Sequence, residues 1–302
     1  MRIGSPVRIR MQSASTMHQA CEWSFKMAAK VLTIAPDARR TRAHVKLLNI
    51  DANAKTVKGR KRGYMTAVLY LLQGNRSGHN ICAMHEVAEC LGPCLGEAGR
   101  GGIAAGRKTF TAPNGEQIPD NTIQRARLER TLFFIYEQAQ FMGQLVREIR
   151  AFIARAKRLG LIPVIRLNGT SDIRWEDIPV EGKANIFALF PRVMFYDYTK
   201  IPNRRHALAV KNYRLTFSYS HAPAFAPIVA RAVSTYGAGV NYAAVFAGKT
   251  LPAHFLGREV INGDESDLRF LDRPGVVVGL VAKGKARSKP GSFVVPRQAI
   301  AA

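Results

Sequence analysis

Short apolar runs recur along the chain from residue 66 onward, and each predicts a β-strand. The runs are rich in β-branched and aromatic residues, and most of them end in polar or glycine-rich residues. They cover residues 66–72, 162–167, 193–196, 213–217, 240–246 and 276–282. The pattern therefore predicts six buried strands whose carboxyl ends lead into polar loops.

Apolar residues at helical spacing predict a long amphipathic segment between the first two strands. They run from Leu128 to Phe152, with charged residues on much of the other face. Asn121 is the expected N-cap, with Gln124 in a capping-box position, and we expect either one helix or two helices broken near Gly143. Shorter helical segments are predicted at 185–190 and 224–236. Alternating strands and helices indicate a parallel α/β fold, in which loops beyond the strand carboxyl ends build the site.

The chain divides by composition into an arm, one large domain and a tail. Basic residues greatly outnumber acidic ones in residues 1–62. We expect residues 1–45 to be a basic, partly disordered arm, 46–285 a single α/β domain, and 286–302 a basic, poorly ordered tail. Met27 is a plausible alternative start of the natural chain. The sequence contains neither an apolar run long enough to span a membrane nor the apolar core of a signal peptide.

Charge is the strongest compositional signal. The formal net charge is +24 over 302 residues. So basic a protein favours an anionic partner, and a nucleic acid or a nucleotide is the expected one. The alternative is that many of these arginines and lysines only coat solvated helix faces.

Three of the four cysteines, Cys82, Cys90 and Cys94, fall within thirteen residues in a C-x7-C-x3-C spacing. Thiolates are soft ligands that suit iron–sulfur clusters and zinc. Three cysteines can hold three irons of a [4Fe-4S] cluster and leave the fourth iron open. Zinc requires a fourth ligand, for which His85 or His79 is available. A loop without metal is the third interpretation.

A polar run follows the second predicted strand directly. It contains Asn168, Gly169, Thr170, Ser171 and Asp172. Glycine allows a ligand to approach the backbone closely, and the neighbouring side chains offer both donors and acceptors. These residues are candidates for cofactor binding, with Asp172 able to pair with an amine or a ribose. The alternative is a strand-to-helix turn in which Ser171 or Asp172 is an N-cap.

Two further strand ends carry candidate residues. Asp197, Tyr198 and Lys200 end the third strand, where Lys200 suits a carboxylate or phosphate and Tyr198 suits stacking or hydrogen bonding. Asp197 and Lys200 could instead form a surface ion pair. Ser218 and Ser220 follow the fourth strand. No G-x-S-x-G elbow surrounds either serine, so we do not expect nucleophilic serine catalysis.

Six separated segments resemble, in order, an uncharacterised family of bacteriophage proteins. They are NAKTVKGRKRGY, the cysteine loop ending CLGEAGRG, RLNGTSDIRWED, FYDYTK, LTFS and GLVAKG, and together they span roughly residues 46–285. Members usually carry a proline directly after the first cysteine, where this chain has Ala83.

The layout is also similar to that of radical S-adenosylmethionine enzymes. Those enzymes are partial (β/α)6 barrels in which a three-cysteine loop follows the first strand and later strand ends hold the cofactor. Their usual spacing is C-x3-C-x2-C, so this chain departs from it. Longer insertions are compatible with the chemistry because the thiolates need only converge in space.

The two resemblances imply a phage-encoded partial (β/α)6-type barrel with a [4Fe-4S] cluster on Cys82, Cys90 and Cys94. They imply an enzyme in the host cytoplasm that uses S-adenosylmethionine and needs an electron donor. The positive charge of the chain indicates a nucleotide or nucleic acid as its substrate. The cofactor-binding candidates are Asn168, Gly169, Thr170, Ser171, Asp172, Ser218 and Ser220. The catalytic candidates are Asp197, Tyr198 and Lys200. The alternative function is a non-catalytic nucleic-acid-binding protein with structural zinc.

Overall fold

A mostly parallel β-sheet dominates the computed structural model, which describes residues 45–51 and 53–300. The expected basic arm, the alternative start at Met27 and the fourth cysteine, Cys21, lie outside the described residues. The strands are β1 (Leu48–Ile50), β2 (Tyr64–Leu69), β3 (Thr109–Thr111), β4 (Gln117–Pro119), β5 (Ile162–Arg166), β6 (Met194–Thr199), β7 (Tyr213–Ser218), β8 (Asn241–Phe246), β9 (His254–Phe255), β10 (Arg258–Asn262) and β11 (Val277–Val281).

Nine of the strands in the described part of the chain form one sheet. Its order is β1-β2-β5-β6-β7-β8-β11-β10-β9, while β3 and β4 form a separate hairpin. The edge strands β1 and β9 pair antiparallel with their neighbours, and the other neighbouring strands pair parallel. The six predicted strands are β2, β5, β6, β7, β8 and β11, which confirms the mixed α/β class with a largely parallel sheet. Because these six strands are neighbours in chain order, their carboxyl ends lie along one edge.

The described helices are mostly short, apart from a pair between β2 and β5. Their bounds are α1 (Ala54–Gly59), α2 (Thr122–Tyr136), α3 (Gln138–Arg158), α4 (Ile186–Leu189), α5 (Arg205–Leu208), α6 (Ala226–Tyr236) and α7 (Lys285–Ser288). None of them is both long enough and apolar enough to cross a lipid bilayer.

The long helical segment breaks at Glu137, so the prediction of a break near Gly143 was wrong. Glu137 leaves the helical region with φ −135° and ψ 48°, while Gly143 continues inside α3. The change of direction brings Phe133 of α2 against Phe141 of α3, with their ring centroids 5.4 Å apart. Aromatic packing therefore decides where this segment bends.

The start of α2 follows the prediction in one respect and departs from it in another. The Asn121 side chain accepts from the backbone N–H of Gln124 at 2.9 Å, as an N-cap does. The Gln124 side chain does not complete a capping box. It donates instead to the carbonyl oxygens of Gly96 and Gly101, at 2.9 and 2.8 Å. The helix start is thus tied to the end of the cysteine loop.

Helix α3 covers one face of the sheet and forms the main core. Leu145, Ile149 and Phe152 on α3 are buried against Ile165 of β5 and Phe195 of β6. Complete burial of side chains of this size contributes about 1.5–3 kcal/mol each.

The segment predicted as a poorly ordered tail contributes to the core. Phe293, Val294 and Val295 are buried, and Val295 forms a parallel bridge to Phe246 of β8. Three consecutive apolar residues thus cover the end of β8. A solvated tail would leave such residues exposed.

Candidate functional site

Loops from four adjacent parallel strands meet at the carboxyl edge of the sheet. The cysteine loop follows β2, residues 168–174 follow β5, residues 200–204 follow β6, and residues 219–221 follow β7. These loops carry most of the candidate residues that the sequence identified. Parallel pairing in chain order brings each loop beside the next.

Cys82 is docked against the loop that follows β5. Its Sγ accepts from the Gly74 amide at 3.4 Å and donates to the Thr170 carbonyl oxygen at 3.7 Å. The backbone N–H of Asp172 donates to the Ile81 carbonyl at 2.9 Å. Cys82 therefore connects the cysteine loop to the loop after β5.

The other two cysteines are held by turns of their own loop. The Cys90 amide donates to the His85 carbonyl at 3.2 Å, and Cys90 packs against two apolar clusters. The Cys94 Sγ accepts from the Gly96 amide at 3.4 Å. All three cysteines are free thiols of intermediate exposure.

The three thiols share one electrostatic environment. Burial raises the pKa of each, and that of Cys90 rises to about 11. The charges of Cys90 and Cys94 further raise the pKa of Cys82, and that of Cys94 raises the pKa of Cys90. In the described part of the chain, no three His, Cys, Asp or Glu side chains are already arranged as a metal-ligand set. The side chains would have to reorient around a bound metal.

Lys200 is the cation of this site. Its Nζ donates to the carbonyl and hydroxyl oxygens of Ser218, at 3.0 and 2.8 Å, and to the carbonyl of Tyr219 at 3.4 Å. The ring centroids of Phe293 and Phe225 lie 4.7 and 5.6 Å from the ammonium. Strand β6 thus delivers a partly buried ammonium held by β7 and by aromatic rings.

Burial and nearby anions act in opposite directions on this lysine. Burial lowers the pKa of Lys200, while Cys90, Asp172 and the other two cysteines raise it. In return, the lysine charge lowers the pKa of Cys90. An ammonium in this position offsets part of the cost of forming thiolates in a buried site.

Asp172 joins the loops after β5 and β6. Its Oδ2 accepts from the Lys200 amide at 2.7 Å, and its Oδ1 lies 3.5 Å from Nη1 of Arg204. Burial raises the pKa of this carboxyl, and Arg204 opposes the rise. The carboxylate therefore organises the backbone beside the cysteines.

Asn168 is the centre of a compact turn. Its Oδ1 accepts from the Ser171 hydroxyl, the Ile173 amide and the Trp175 indole, at 2.9, 2.9 and 3.1 Å. Its Nδ2 donates to the Ile173 carbonyl at 2.9 Å. These contacts occupy the polar atoms of the Asn168 side chain and the hydroxyl of Ser171, so both residues shape the loop in this structure.

Gly169 and Thr170 lie directly on the end of β2. The Gly169 amide donates to the Leu69 carbonyl at 3.0 Å, and the Thr170 hydroxyl donates to the Leu71 carbonyl. A Cβ on residue 169 would lie 2.7 Å from the Leu69 oxygen. Glycine is required here because the two backbones approach so closely.

The other two catalytic candidates on β6 point to opposite faces of the sheet. Asp197 is completely buried and accepts from the Asn168 amide at 2.8 Å and from the Tyr213 hydroxyl at 3.1 Å. Burial raises the pKa of Asp197 to about 7. The Tyr198 ring lies 5.0 Å from the guanidinium of Arg166. Asp197 and Tyr198 thus contact neighbouring strands, whereas Lys200 is the candidate whose charge acts on the cysteines.

The serines after β7 attach that strand to the site. Ser218 accepts from Lys200 Nζ through its hydroxyl. Ser220 donates to the Ala88 carbonyl at 2.7 Å and accepts from the Ala222 amide at 3.2 Å. Ser220 therefore anchors the middle of the cysteine loop.

Sequence reasoning missed Arg204, a fully buried arginine at the centre of these loops. Its Nε donates to Glu176 at 2.8 Å, and its Nη2 donates to the Tyr213 hydroxyl at 3.1 Å. It also holds Asp172. Nothing local distinguishes Arg204 from a surface arginine, because its partners lie in other segments of the chain.

The two histidines of the cysteine loop differ in their surroundings. His79 Nε2 lies 2.8 Å from the Tyr136 hydroxyl. His85 is buried, and its Nε2 has no hydrogen-bond partner among the described residues. Burial lowers the pKa of His85, so the neutral ring is favoured.

Comparison with known proteins identifies a family for this chain. The family model described as Gene product 88 matches residues 45–295, which is most of the chain. Comparisons with curated proteins and with solved structures gave no significant match. The match supports the phage-type family that the six sequence segments resemble. This chain therefore belongs to the Gene product 88 family.

Proposed function

We propose that Cys82, Cys90 and Cys94 bind a [4Fe-4S] cluster and that the protein is a radical S-adenosylmethionine-like enzyme acting on nucleic acid. The observation that carries this proposal is the shared environment of three free thiols and Lys200 at the carboxyl edge of a parallel sheet. Sites in such sheets form at this edge.

The residues present fit a cluster by the chemistry of their donors. Thiolates are the usual ligands of iron–sulfur clusters, and three of them leave one iron open. The cysteines lie on a loop of turns rather than on a rigid helix, so their side chains can reorient. The Lys200 ammonium offsets part of the thiolate charge.

The strand arrangement gives separate support for the enzyme class. Seven strands of the sheet are parallel, and the six predicted ones lie in chain order, as the strands of the proposed partial (β/α)6 barrel would. The cysteine loop follows the first of them. A bound cluster with S-adenosylmethionine would supply one-electron reductive chemistry. The chain's own contribution is to bury the thiols and hold a cation beside them. The Asp172 carboxylate fixes the backbone that carries this cation.

Nucleic acid is the proposed substrate class because of the charge. A net charge of +24 favours association with a polyanion. A phage protein with this charge would meet nucleic acid in the host cytoplasm.

Anaerobic reconstitution with iron and sulfide tests the cluster. We expect the full chain to bind about four irons with the broad visible absorbance of a [4Fe-4S] centre. Changing Cys82, Cys90 or Cys94 to serine should remove most of this absorbance, whereas Cys21→Ser should retain it. Equal iron content in all four variants would refute the site.

A structural zinc site is the second candidate. The buried Nε2 of His85 favours it, because this nitrogen has no hydrogen bond to a described residue and the Glu86 carboxylate stands 3.9 Å away. Three thiolates and one imidazole form a common zinc-ligand set. In that case aerobically purified protein should be colourless with stoichiometric zinc, and His85→Ala should lose the zinc. Iron binding that survives His85→Ala would exclude this alternative.

A further inference from the structure

A cleft of about 500 Å³ opens directly after the third cysteine. It lies between the turn Gly99–Gly102, the β3–β4 hairpin and helix α7. We name it the Cys94 cleft, because Leu95–Glu97, the turn that follows Cys94, leads into its wall. Its volume is that of a site for a small ligand or for a short piece of a polymer.

Buried polar contacts hold the walls of the cleft in place. Glu97 is buried, and its carboxylate pairs with Nη1 of Arg76 on one side and with Nζ of Lys285 on the other. Gln124 holds the carbonyls of Gly96 and Gly101. The cleft is therefore formed by tethered segments.

Exposed cations stand next in sequence to residues that line the cleft, and we call these cations its rim. Arg100 lies in the Gly99–Gly102 turn, Lys108 precedes the lining residue Thr109, and Arg287 and Lys289 flank the lining residue Ser288. None of the four forms an ion pair with a residue that the structure describes. The rim is thus strongly positive and free to meet an anion.

The acidic side chains of these segments have other partners. Glu97, which lines the cleft, pairs with Arg76 and Lys285. Glu116 pairs with Arg76, and Asp120 pairs with Arg125. Two large apolar side chains in the same segment are strongly exposed, with Leu95 at 62% and Ile103 at 67%. Apolar surface among cations suits a ligand with flat faces on a charged backbone.

We propose that the Cys94 cleft binds the sugar–phosphate backbone of single-stranded nucleic acid. The four rim cations contact phosphates, and Ile103 lies against a sugar or base. A single strand suits the cleft because its volume is that of a small-ligand site, which is too small for a duplex. Placing the substrate next to Cys94 rests on the proposed function, but the binding itself requires no cluster.

Fluorescence anisotropy with a short labelled oligothymidine tests the cleft, using the full chain. The double variants Arg100→Gln/Lys108→Gln and Arg287→Gln/Lys289→Gln should each weaken binding about 10-fold. Each should reduce the slope of log K against log salt by about 0.7 per lost phosphate contact. The matched control is Arg155→Gln/Lys157→Gln at the exposed end of α3, which should bind as the wild type does.

Three outcomes would overturn the inference. Equal weakening of oligonucleotide binding by the control variant would mean that binding depends on the diffuse positive charge of the protein rather than on this cleft. Stronger competition by duplex DNA of the same sequence would contradict a single-strand site. Competition by polyglutamate at equal charge concentration would assign the cleft to an acidic protein.

A serine variant at all three of Cys82, Cys90 and Cys94 separates this inference from the proposed function. Unchanged oligonucleotide affinity in that variant supports the cleft, whatever the iron analysis shows. Loss of affinity in that variant, with its thermal unfolding unchanged, would overturn binding at a cleft independent of the cluster.

Discussion

The backbone amide of Lys200 donates a 2.7 Å hydrogen bond to Oδ2 of Asp172, across 28 residues of sequence. This bond joins the loop after β5 to the end of β6 at the residue whose side chain reaches Ser218 of β7. Asp172 in turn contacts Arg204. The Asp172 carboxylate therefore positions the Lys200 ammonium indirectly, by binding the backbone amide of Lys200.

Replacing Asp172 by alanine should destabilise the protein. Asp172→Ala leaves the Lys200 amide and part of the Arg204 guanidinium without their acceptor in a buried region, at an expected cost of about 2–4 kcal/mol. Urea unfolding measures the loss. The control is Asp177→Ala, because the one ion pair of Asp177 among residues 45–51 and 53–300 is with the exposed His206. This change should alter stability by less than about 0.5 kcal/mol. Equal stability of the two variants would contradict the assigned role.

Two glycine-to-alanine changes should have opposite effects. Gly169→Ala brings a Cβ against the end of β2 and should cost about 1–3 kcal/mol. Gly143→Ala lies inside α3, where the nearest atom to the new Cβ is 3.6 Å away, and should stabilise by about 0.5–1 kcal/mol. Thermal unfolding of both variants checks the pair. Tolerance of Gly169→Ala would mean that the loop after β5 can move away from β2.

Asp197 should make stability depend on pH in the range between about 4 and 7. Burial raises its pKa to about 7 in the folded state, so folding favours the protonated carboxyl. The contribution of Asp197 to the free energy of unfolding is complete below the unfolded-state pKa of about 3.9. It is lost as the pH rises through the folded-state pKa. Asp197→Asn removes this titration. From pH 5 to pH 8, the free energy of unfolding of the wild type, measured in urea, should therefore fall relative to that of the variant. A constant difference would contradict the shift.

The side chain of Gln124 should control the mobility of the segment that follows Cys94. Gln124→Ala removes both hydrogen bonds to the carbonyls of Gly96 and Gly101. Amide hydrogen exchange of residues 94–103 should accelerate about 30-fold, because two bonds are lost and each is worth about 1 kcal/mol. Gln138→Ala, at an exposed position on α3, is the matched control and should leave exchange unchanged.

Local sequence patterns were sufficient for the six strands β2, β5, β6, β7, β8 and β11, but they missed β1, β3, β4, β9 and β10. β5 and β6 are short apolar runs that end in polar residues, and parallel pairing brings such ends together. The proximity of Lys200 to Asp172 follows from that rule. The free thiols of the cysteine loop were also expected beside this edge, and a metal bound to all three stays a prediction.

Long-range contacts account for what the sequence did not predict. Arg204 and Glu176 form a buried pair only after β6 has returned the chain to the loop beyond β5. The break at Glu137 depends on aromatic packing between two helices, and spacing alone favoured the glycine at 143. Composition suggested a solvated end for residues 286–302, but the short apolar run at Phe293 outweighed the surrounding charges.

The position of Phe293 has a consequence for biosynthesis. Its ring lies over the Lys200 ammonium, and its carbonyl accepts from the His221 amide at 3.2 Å. A nascent chain on the ribosome can form the sheet from its early strands. The Phe293 ring cannot cover the Lys200 ammonium until residue 293 has left the exit tunnel. The aromatic surroundings of Lys200 are therefore completed only after β11, the last strand of the sheet, has been synthesised.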